Sequence, residues 1–311
     1  MATNFWGFAL GSMLFVFAAN AQNQPAPVRA VTGSDTVIIA AGDQPILKYR
    51  YGEAPFKPYA PEFFTPMGVN ILRDAPHDHL HHHALMFAVG VNKVSFWGEL
   101  PECGFQRHVA FEDTPVIEAG GWSWAGLTEK LQWQLPNDGA VVLDETRKVC
   151  ATRDDTSKAS LVLWDSELSA PAGTESVTLT GDHYYGLGMR FLVSMDKGGE
   201  FFNSTGAFGD IVRGDERLTP AEWCAYTAEA DGKRVTVAMF DCPSNPRYPA
   251  LWFTMQTSFA YLSATRNLWK EPMEVKAGQP VRFRHAIALW DGKVDAASIE
   301  QLKTRINQVW K

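Results

Sequence analysis

Near its C-terminus the chain reads Val281-Arg-Phe-Arg-His-Ala-Ile-Ala-Leu-Trp-Asp-Gly-Lys293. The β-branched and aromatic residues of this run are typical of a β-strand, and the Asp-Gly pair after it is typical of a turn. Short apolar runs bounded by such turn signals recur along the chain. They predict strands over Thr36–Ala41, Ile46–Tyr51, Ala84–Val91, Ala140–Leu143, Ser160–Trp164, Ser176–Leu179, Leu187–Ser194, Val235–Phe240, Phe259–Ala264 and Val281–Leu289.

A single helix is predicted, at the C-terminal end. Asp295 is a suitable N-cap, and apolar residues follow it at helical spacings of three and four: Ile299, Leu302, Ile306 and Val309. Strands do not alternate with long helices, so an α/β fold is not expected. We predict an all-β fold, in which residues 22–311 form one large antiparallel β-sandwich of two sheets with a C-terminal helix.

Composition and charge exclude several classes of protein. Of the 311 residues, 46% are hydrophobic and 20% are charged, which is typical of a globular protein rather than of a disordered or membrane-spanning one. The net charge of -7 provides no basic surface for a nucleic acid, so no nucleic-acid partner is expected. Neither a GxGxxG nor a Walker loop occurs, and we therefore expect no nucleotide cofactor.

The N-terminus has the pattern of an export signal. Residues 5–19 are uncharged and mostly apolar, and Ala19-Asn20-Ala21 has the small-x-small pattern that signal peptidase cleaves. We predict a signal peptide over residues 1–21, cleavage after Ala21, and a periplasmic or secreted protein without stable membrane insertion. The alternative is an uncleaved anchor, but about 15 apolar residues fall short of the roughly 20 that span a bilayer.

The chain has four cysteines: Cys103, Cys150, Cys224 and Cys242. In an oxidising compartment they could form two disulfides, and the sequence does not choose among the possible pairings. The alternative is four buried free thiols. None of them lies in a CxxC pair, so a zinc ribbon is not expected.

The densest chemical feature is a cluster of histidines after Pro76: His77, His79, His81, His82 and His83. If this segment is a strand, alternation places the odd-numbered histidines on one face and His82 on the other. Neutral imidazoles can bind a divalent metal ion, for which His79, His81 and His82 are the candidate ligands. Imidazole is equally a general acid or base near neutral pH. The alternative is a solvated histidine-rich loop.

Residues 78–97 read Asp-His-Leu-His-His-His-Ala-Leu-Met-Phe-Ala-Val-Gly-Val-Asn-Lys-Val-Ser-Phe-Trp. This run resembles the hallmark of an exported bacterial family labelled PmoA-like: an Asp-His-x-His-His segment followed by a Gly, a Val-Asn turn and a Phe-Trp. Further similarity lies in Asp182–Arg190, Asn203–Gly206, Cys242–Arg247 with Trp252, and Ala277–Gly292, so that it covers roughly Lys57 to the C-terminus. The chain departs from the family at His83, where Arg is common, at Leu80, where Pro is common, and at His183, where many members carry Lys-Glu.

The family label refers to methane oxidation, which we reject because the particulate methane oxygenase is an integral membrane enzyme and this chain has no spanning segments. The resemblance instead implies a secreted β-sandwich akin to the supersandwich of galactose mutarotases and polysaccharide lyases. It also implies a carbohydrate as substrate or ligand. Because one fold hosts many activities, the activity has to be argued from the site.

Individual roles follow from side-chain chemistry and from the resemblance. The guanidinium of Arg190 suits a uronate carboxylate, and tyrosine can protonate a leaving group. The candidate catalytic residues are His79, His81, His82, His183, Tyr184 and Arg190. The candidate substrate-binding residues are His108, Tyr185, Asn203, Asn245, Arg247 and Trp252.

The function predicted first is a secreted carbohydrate-active enzyme that acts by elimination, as a lyase or dehydratase. A histidine or tyrosine base would remove the proton next to a carboxylate, and a cation would neutralise the developing enolate. Hydrolysis ranks lower, because no motif marks the pair of carboxylates that it needs. The alternatives are a non-catalytic exported protein that binds sugar or metal, and an epimerase.

Overall fold

The computed structural model of the chain describes Met1 and residues 26–113 and 116–310. The predicted signal peptide, apart from Met1, lies outside these residues, as does its cleavage site. No helix among the described residues is long and apolar enough to cross a membrane.

Nearly all regular structure in the described residues is β. The strands are β1 Val28–Thr32, β2 Thr36–Ala41, β3 Gln44–Arg50, β4 Tyr59–Phe63, β5 Leu85–Ala88, β6 Gly90–Val91, β7 Val94–Ser95, β8 Phe105–Glu112, β9 Ile117–Ala119, β10 Trp122–Gln134, β11 Val141–Asp154, β12 Ala159–Ser169, β13 Ser176–Thr180, β14 Gly186–Arg190, β15 Glu200–Asn203, β16 Asp210–Arg213, β17 Glu216–Pro220, β18 Trp223–Ala230, β19 Lys233–Asp241, β20 Leu251–Met255, β21 Tyr261–Thr265, β22 Met273–Lys276 and β23 Val281–Asp291. A 3-10 turn covers Val193–Met195, and helix α1 covers Ala296–Val309.

The strands form two large antiparallel sheets. A 10-stranded sheet has the order β1-β2-β3-β4-β5-β14-β21-β20-β17-β16, and a 9-stranded sheet has the order β15-β18-β19-β23-β12-β11-β10-β8 with β9 beside β10. A third, small sheet has the order β22-β13-β6-β7 and is not hydrogen-bonded to the two large ones. The predicted all-β antiparallel fold with a C-terminal helix is therefore confirmed.

The main hydrophobic core lies between the two large sheets. Strands alternate their side chains, so every second residue of a strand faces it. Rings from the two sheets meet there: Tyr49 lies edge-on to Trp164 at 6.0 Å between centroids, and Phe87 to Trp133 at 6.2 Å. Each sheet thus has one face in this core and one face directed outward.

Helix α1 covers the outer face of the 9-stranded sheet. The Asp295 side chain caps the helix by accepting a hydrogen bond from the backbone N–H of Ser298 at 2.9 Å. Three of the predicted apolar positions, Ile299, Leu302 and Ile306, are buried in a second apolar cluster on that face. No helix among the described residues covers the outer face of the 10-stranded sheet.

Outward-facing residues of the 10-stranded sheet form a third apolar cluster. In β5, Leu85 and Phe87 point into the main core, whereas Met86 and Ala88 belong to the outer cluster. Strand β21 also directs a residue outward, because its Tyr261 belongs to the same outer cluster. Aromatic side chains on a face that no helix of residues 26–113 or 116–310 covers mark it as a place where a ligand can bind.

A network of charged groups crosses the main core. The Arg147 guanidinium donates to both carboxylate oxygens of Glu145, at 2.8 and 2.9 Å, and to the Gln106 side chain at 2.8 Å. It also donates to the hydroxyl of Tyr49 on the opposite sheet, at 3.2 Å. The Tyr49 hydroxyl in turn donates to the buried Glu129. A charge that stays ionised inside a core needs this degree of pairing.

Of the two alternatives for the cysteines, the structure has the free thiols and not the disulfides. All four cysteines are free and buried. Cys150 lies in the cluster beneath α1 and Cys224 in the main core, so the 9-stranded sheet separates these two thiols. Burial raises the pKa of the Cys150 thiol to about 11. These cysteines therefore behave as small apolar core residues.

We expect the native chain to be inert to a thiol reagent. Burial keeps the reagent out and keeps the Cys150 thiol protonated, whereas reaction requires an accessible thiolate. Titration with Ellman's reagent should therefore give no fast reaction in the native protein. It should give four thiols per chain in denaturant without reductant. Two or no thiols in denaturant would show that disulfides form after all.

Candidate functional site

A pocket of about 380 Å³ opens on the outer face of the 10-stranded sheet. Its floor comes from outward-facing residues of three adjacent strands, Glu216 of β17, Phe253 of β20 and Tyr261 of β21. Loops and the last residues of β16 and β20 supply the walls, through the following residues: His79, His81, His82, Trp97, Tyr184, Arg213, Met255, Ser258 and Phe259. The pocket thus combines aromatic surface with histidines, a carboxylate and a guanidinium.

The histidines lie on a loop rather than on a strand, so the predicted alternation is wrong. We call residues 75–82 the histidine loop. An isolated bridge between Asp74 and His83 closes its base. Inside it, the backbone N–H of His79 donates to the carbonyl of Pro76, and that of His82 to the carbonyl of His79, both at 2.9 Å. These turns bring histidines three residues apart together.

Two of the imidazole rings stack on one another, and two meet an aromatic ring of the pocket edge to face. The rings of His79 and His82 stack at 4.6 Å, and His81 and His82 each contact Trp97 at 5.1 Å. Burial, followed by the neighbouring histidines, lowers the pKa of His82 to about 2. Burial also lowers the pKa of the half-buried His81. Both imidazoles are therefore neutral at pH 7, where a neutral ring can accept a proton.

A metal ion was one predicted use of these histidines. In the part of the chain that the structure describes, no three side chains among His, Cys, Asp and Glu lie where they could share a metal ion. The ring stacking explains this, because stacked imidazoles do not point their nitrogens at one point. The arrangement of the described residues therefore does not fit a metal ion.

His183 holds a carboxylate in place at the pocket. Its Nε2 lies 2.9 Å from Oε2 of the buried Glu216, and its Nδ1 lies 2.6 Å from Asp182. Arg213 donates to the other Glu216 oxygen at 2.6 Å. Both oxygens of Glu216 are thus engaged, and Arg213 stands 74% exposed at the rim of the pocket.

Tyr184 lines the pocket beside His183, and Tyr185 supports it from behind. Burial raises the pKa of Tyr184 above its usual value, so this phenol is protonated at neutral pH. The ring of Tyr185 stacks on Trp97 at 5.5 Å, and its hydroxyl lies 3.0 Å from Ser95 Oγ. Tyr185 therefore orients Trp97 and does not itself line the pocket.

Several buried polar atoms at this face have no hydrogen-bond partner among the described residues. They include Trp97 Nε1, Tyr261 Oη and His82 Nδ1, all from lining residues. A buried donor or acceptor without a partner costs about 1–3 kcal/mol. Gly188 makes room for the Tyr261 hydroxyl, since a Cβ there would lie 1.9 Å from it. These buried, unpartnered groups therefore gather around one pocket.

Arg190 lies beneath Phe259, one of the lining residues of the pocket. Its side chain is 1% exposed, its guanidinium carbon sits 3.6 Å from the centre of the Phe259 ring, and Asp196 is 4.0 Å away. Burial lowers the pKa of Arg190 to about 10. Because Phe259 covers it, Arg190 does not line the pocket in this conformation.

Five other predicted residues lie away from the pocket. Asn203 organises its own turn, with its side chain accepting from Thr205 N at 3.0 Å. The Asn245 and Arg247 side chains bond to the backbone, at Arg284 O and Arg266 O respectively. Trp252 points into the main core. His108 lies in the 9-stranded sheet, where its Nδ1 is 2.7 Å from Glu129 Oε1.

Residues that sequence reasoning missed complete the pocket. Glu216, Phe253 and Tyr261 come from strands that the fold places side by side. Arg213 ends the neighbouring strand β16, one turn before Glu216. No local motif marks these residues. Phe259 and Tyr261 fall in or beside a predicted strand, and only the pairing of β21 with β14 places them next to the histidine loop.

Residues 36–304 match a family of unknown function, DUF6807, and the chain belongs to this family. No curated protein matches its sequence. The predicted PmoA-like resemblance stays a prediction.

Solved structures that match this chain at low similarity include the following three. The GH36 α-galactosidase AgaA from Geobacillus stearothermophilus, in complex with raffinose, matches with a TM-score of 0.41 and 10% identity over 70% of this chain and 31% of its own. The galactosidase domain of an α-galactosidase-sucrose kinase, AgaSK, matches with a TM-score of 0.39 and 9% identity, over 85% of this chain and 40% of the AgaSK chain. A mutarotase-like protein, YeaD, from Salmonella typhimurium matches with a TM-score of 0.31 and 10% identity over 84% and 90%. This chain thus spans about a third of the length of the AgaA chain.

Proposed function

We propose that this pocket binds an acidic carbohydrate and catalyses an elimination on it. The observation that carries the proposal is the coincidence, in one pocket, of aromatic rings, unpartnered polar atoms and two groups suited to proton transfer. Aromatic rings such as Trp97 and Phe253 offer flat apolar faces to a sugar ring. The Trp97 indole N–H and the Tyr261 hydroxyl, which are buried and have no partner among the described residues, are the proposed contacts for its hydroxyl groups.

His81 is the proposed base. It lines the pocket, it is half-buried, and its lowered pKa keeps it neutral at pH 7. A neutral imidazole accepts the proton from the ring carbon next to a uronate carboxylate. The electron pair left behind delocalises into the carboxylate, and expulsion of the oxygen on the adjacent carbon then forms a carbon–carbon double bond.

Tyr184 is the proposed acid. Its phenol stays protonated because burial raises its pKa, so it can transfer a proton to the departing oxygen. Arg213 is the proposed partner of the substrate carboxylate, because it is the exposed guanidinium among the lining residues and a guanidinium matches a carboxylate. Glu216 and His183 hold Arg213 at the rim.

Paired-carboxylate hydrolysis is less well supported. Glycoside hydrolysis commonly needs two carboxyl groups that flank the bond. Among the described lining residues Glu216 is the one carboxylate, and both its oxygens are already engaged. The pocket therefore favours proton abstraction by a neutral imidazole.

The test is a mass spectrum of uronate-containing and neutral oligosaccharides, taken before and after incubation with the purified chain. We expect an unsaturated and a saturated fragment from a uronate oligosaccharide, without uptake of water. Loss of one water from an intact oligosaccharide would instead establish a dehydratase, which is also an elimination. Gain of water would overturn the proposal in favour of a hydrolase. Calorimetric binding without a change of mass would leave a binding protein or, if anomeric signals change by NMR, an epimerase.

A further inference from the structure

Behind the pocket lies a group of charges that none of the proposed steps uses. The His83 side chain is 4% exposed, and each of its ring nitrogens lies within ion-pair distance of a carboxylate: Nδ1 is hydrogen-bonded to Asp74 Oδ1 at 2.8 Å, and Nε2 lies 2.8 Å from Glu99 Oε1 without the alignment of a hydrogen bond. A neutral imidazole has one N–H, whereas an imidazolium has two. The geometry of two facing carboxylates therefore selects the imidazolium.

The surroundings complete the charge balance. The buried Lys57 ammonium lies 2.8 Å from Glu99, and the Tyr59 hydroxyl donates to Asp74 at 2.7 Å. The Tyr59 ring also stacks on His83 at 4.4 Å. Two anions are thus matched by two cations. Lys57 and His83 are buried and Glu99 is nearly so, whereas the Asp74 carboxylate is 32% exposed, so removing the His83 charge leaves the Glu99 carboxylate without one of its two cations.

This ion cluster connects two walls of the pocket. Asp74 and His83 stand at the two ends of the histidine loop, paired by the bridge that closes it. Glu99 follows Trp97 by two residues, and the Trp97 ring contacts the rings of His81 and His82. One imidazolium therefore joins the base of the histidine loop to the segment that carries Trp97.

We propose that His83 is a positioning residue, whose bridge between Asp74 and Glu99 fixes the histidine loop against Trp97. His83 does not line the pocket, and it acts through His81, His82 and Trp97. The inference rests on the proposed function for its catalytic consequence, but the order of the loop can be measured without any substrate.

Limited digestion with chymotrypsin measures that order directly, because Leu80 at the tip of the loop is 62% exposed and can be cut once the loop loosens. In His83→Gln we expect cleavage after Leu80, identified by mass, to become about tenfold faster than in the wild type. His83→Arg, which can donate to both carboxylates, should restore a rate close to that of the wild type. His77→Gln, an exposed histidine of the same loop, is the matched control and should change nothing.

The outcomes separate the two proposals. Equal cleavage rates in wild type and His83→Gln overturn the positioning role, whatever the activity, and so does failure of His83→Arg to restore the slow rate. If His83→Gln does not fold, Glu99→Gln removes the other half of the bridge and should loosen the loop in the same way. Faster cleavage in a chain whose wild type neither binds nor changes any oligosaccharide supports the positioning role and overturns the proposed function. Where turnover is found, His83→Gln should lower kcat more than it raises KM, because the loop carries the base.

Discussion

Replacing His81 by Gln is expected to lower the turnover of a uronate oligosaccharide by about 10²–10⁴-fold, the usual contribution of a general base. Glutamine keeps a polar side chain of similar length but cannot accept the proton. The rings proposed to hold the sugar, Trp97 and Phe253, stay in place, so binding measured by calorimetry should change little. The effect should therefore fall on kcat.

The matched control is His77→Gln, which alters an exposed histidine of the same loop that does not line the pocket. It should leave kcat unchanged. The pH profile gives a second check. Because burial lowers the pKa of His81, turnover by the wild type should persist below pH 6.5, about the pKa of an ordinary histidine. It should fall only when more acid protonates the base. Equal activity of His81→Gln and wild type would rule His81 out.

Replacing Arg147 by Met is expected to lower the free energy of unfolding by about 3–5 kcal/mol. The guanidinium is fully buried and is the shared partner of Glu145, Gln106 and Tyr49. Methionine fills part of the volume but leaves the Glu145 carboxylate in the core with the Trp133 indole N–H, 2.9 Å away, as its remaining side-chain partner. Urea denaturation followed by circular dichroism measures the difference.

Arg282→Met provides the comparison, because Arg282 also pairs with a carboxylate, Asp165, on the same sheet. Its side chain is 50% exposed, so water screens the pair and the loss should stay within about 1 kcal/mol. The double variant Arg147→Met, Glu145→Gln should recover part of the loss, since it no longer strands an ionised carboxylate. Similar losses of unfolding free energy in Arg147→Met and Arg282→Met would show that the buried network contributes no more to stability than an exposed ion pair.

The all-β fold could be predicted because its signals are local. A short apolar run between turn residues predicts a strand wherever it occurs, and Asp295 with its spaced apolar partners predicts α1. The long strand β10 was missed for a physical reason. Its alternation of apolar and polar residues is interrupted by Glu129. Glu129 is fully buried, and Tyr49 and His108 are its hydrogen-bond partners there. Sequence reasoning assigns such a residue to the surface.

The candidate site could be predicted only in part. The histidines and Tyr184 stand out in the sequence because of their density and their motif, and the fold places them in one pocket. The expected strand was wrong because the segment after Pro76 forms turns, whose backbone hydrogen bonds are visible only in three dimensions. Glu216 and Tyr261 reach the pocket through strand pairing between distant parts of the chain. Asn245 and Arg247, conversely, satisfy backbone groups, a need that the sequence does not display.

The division of β14 and β21 between core and pocket makes the protein sensitive to deletions. Leu187 and Met189 face the main core, and Arg190 and Tyr261, paired across the two strands, face outward. Losing one residue inside β14 would reverse the direction of every side chain beyond the loss, moving a guanidinium into the core and an apolar chain toward the ligand. Folding and ligand binding would then fail together. Changes of chain length that natural selection tolerates should accordingly fall in the turns, away from these two strands.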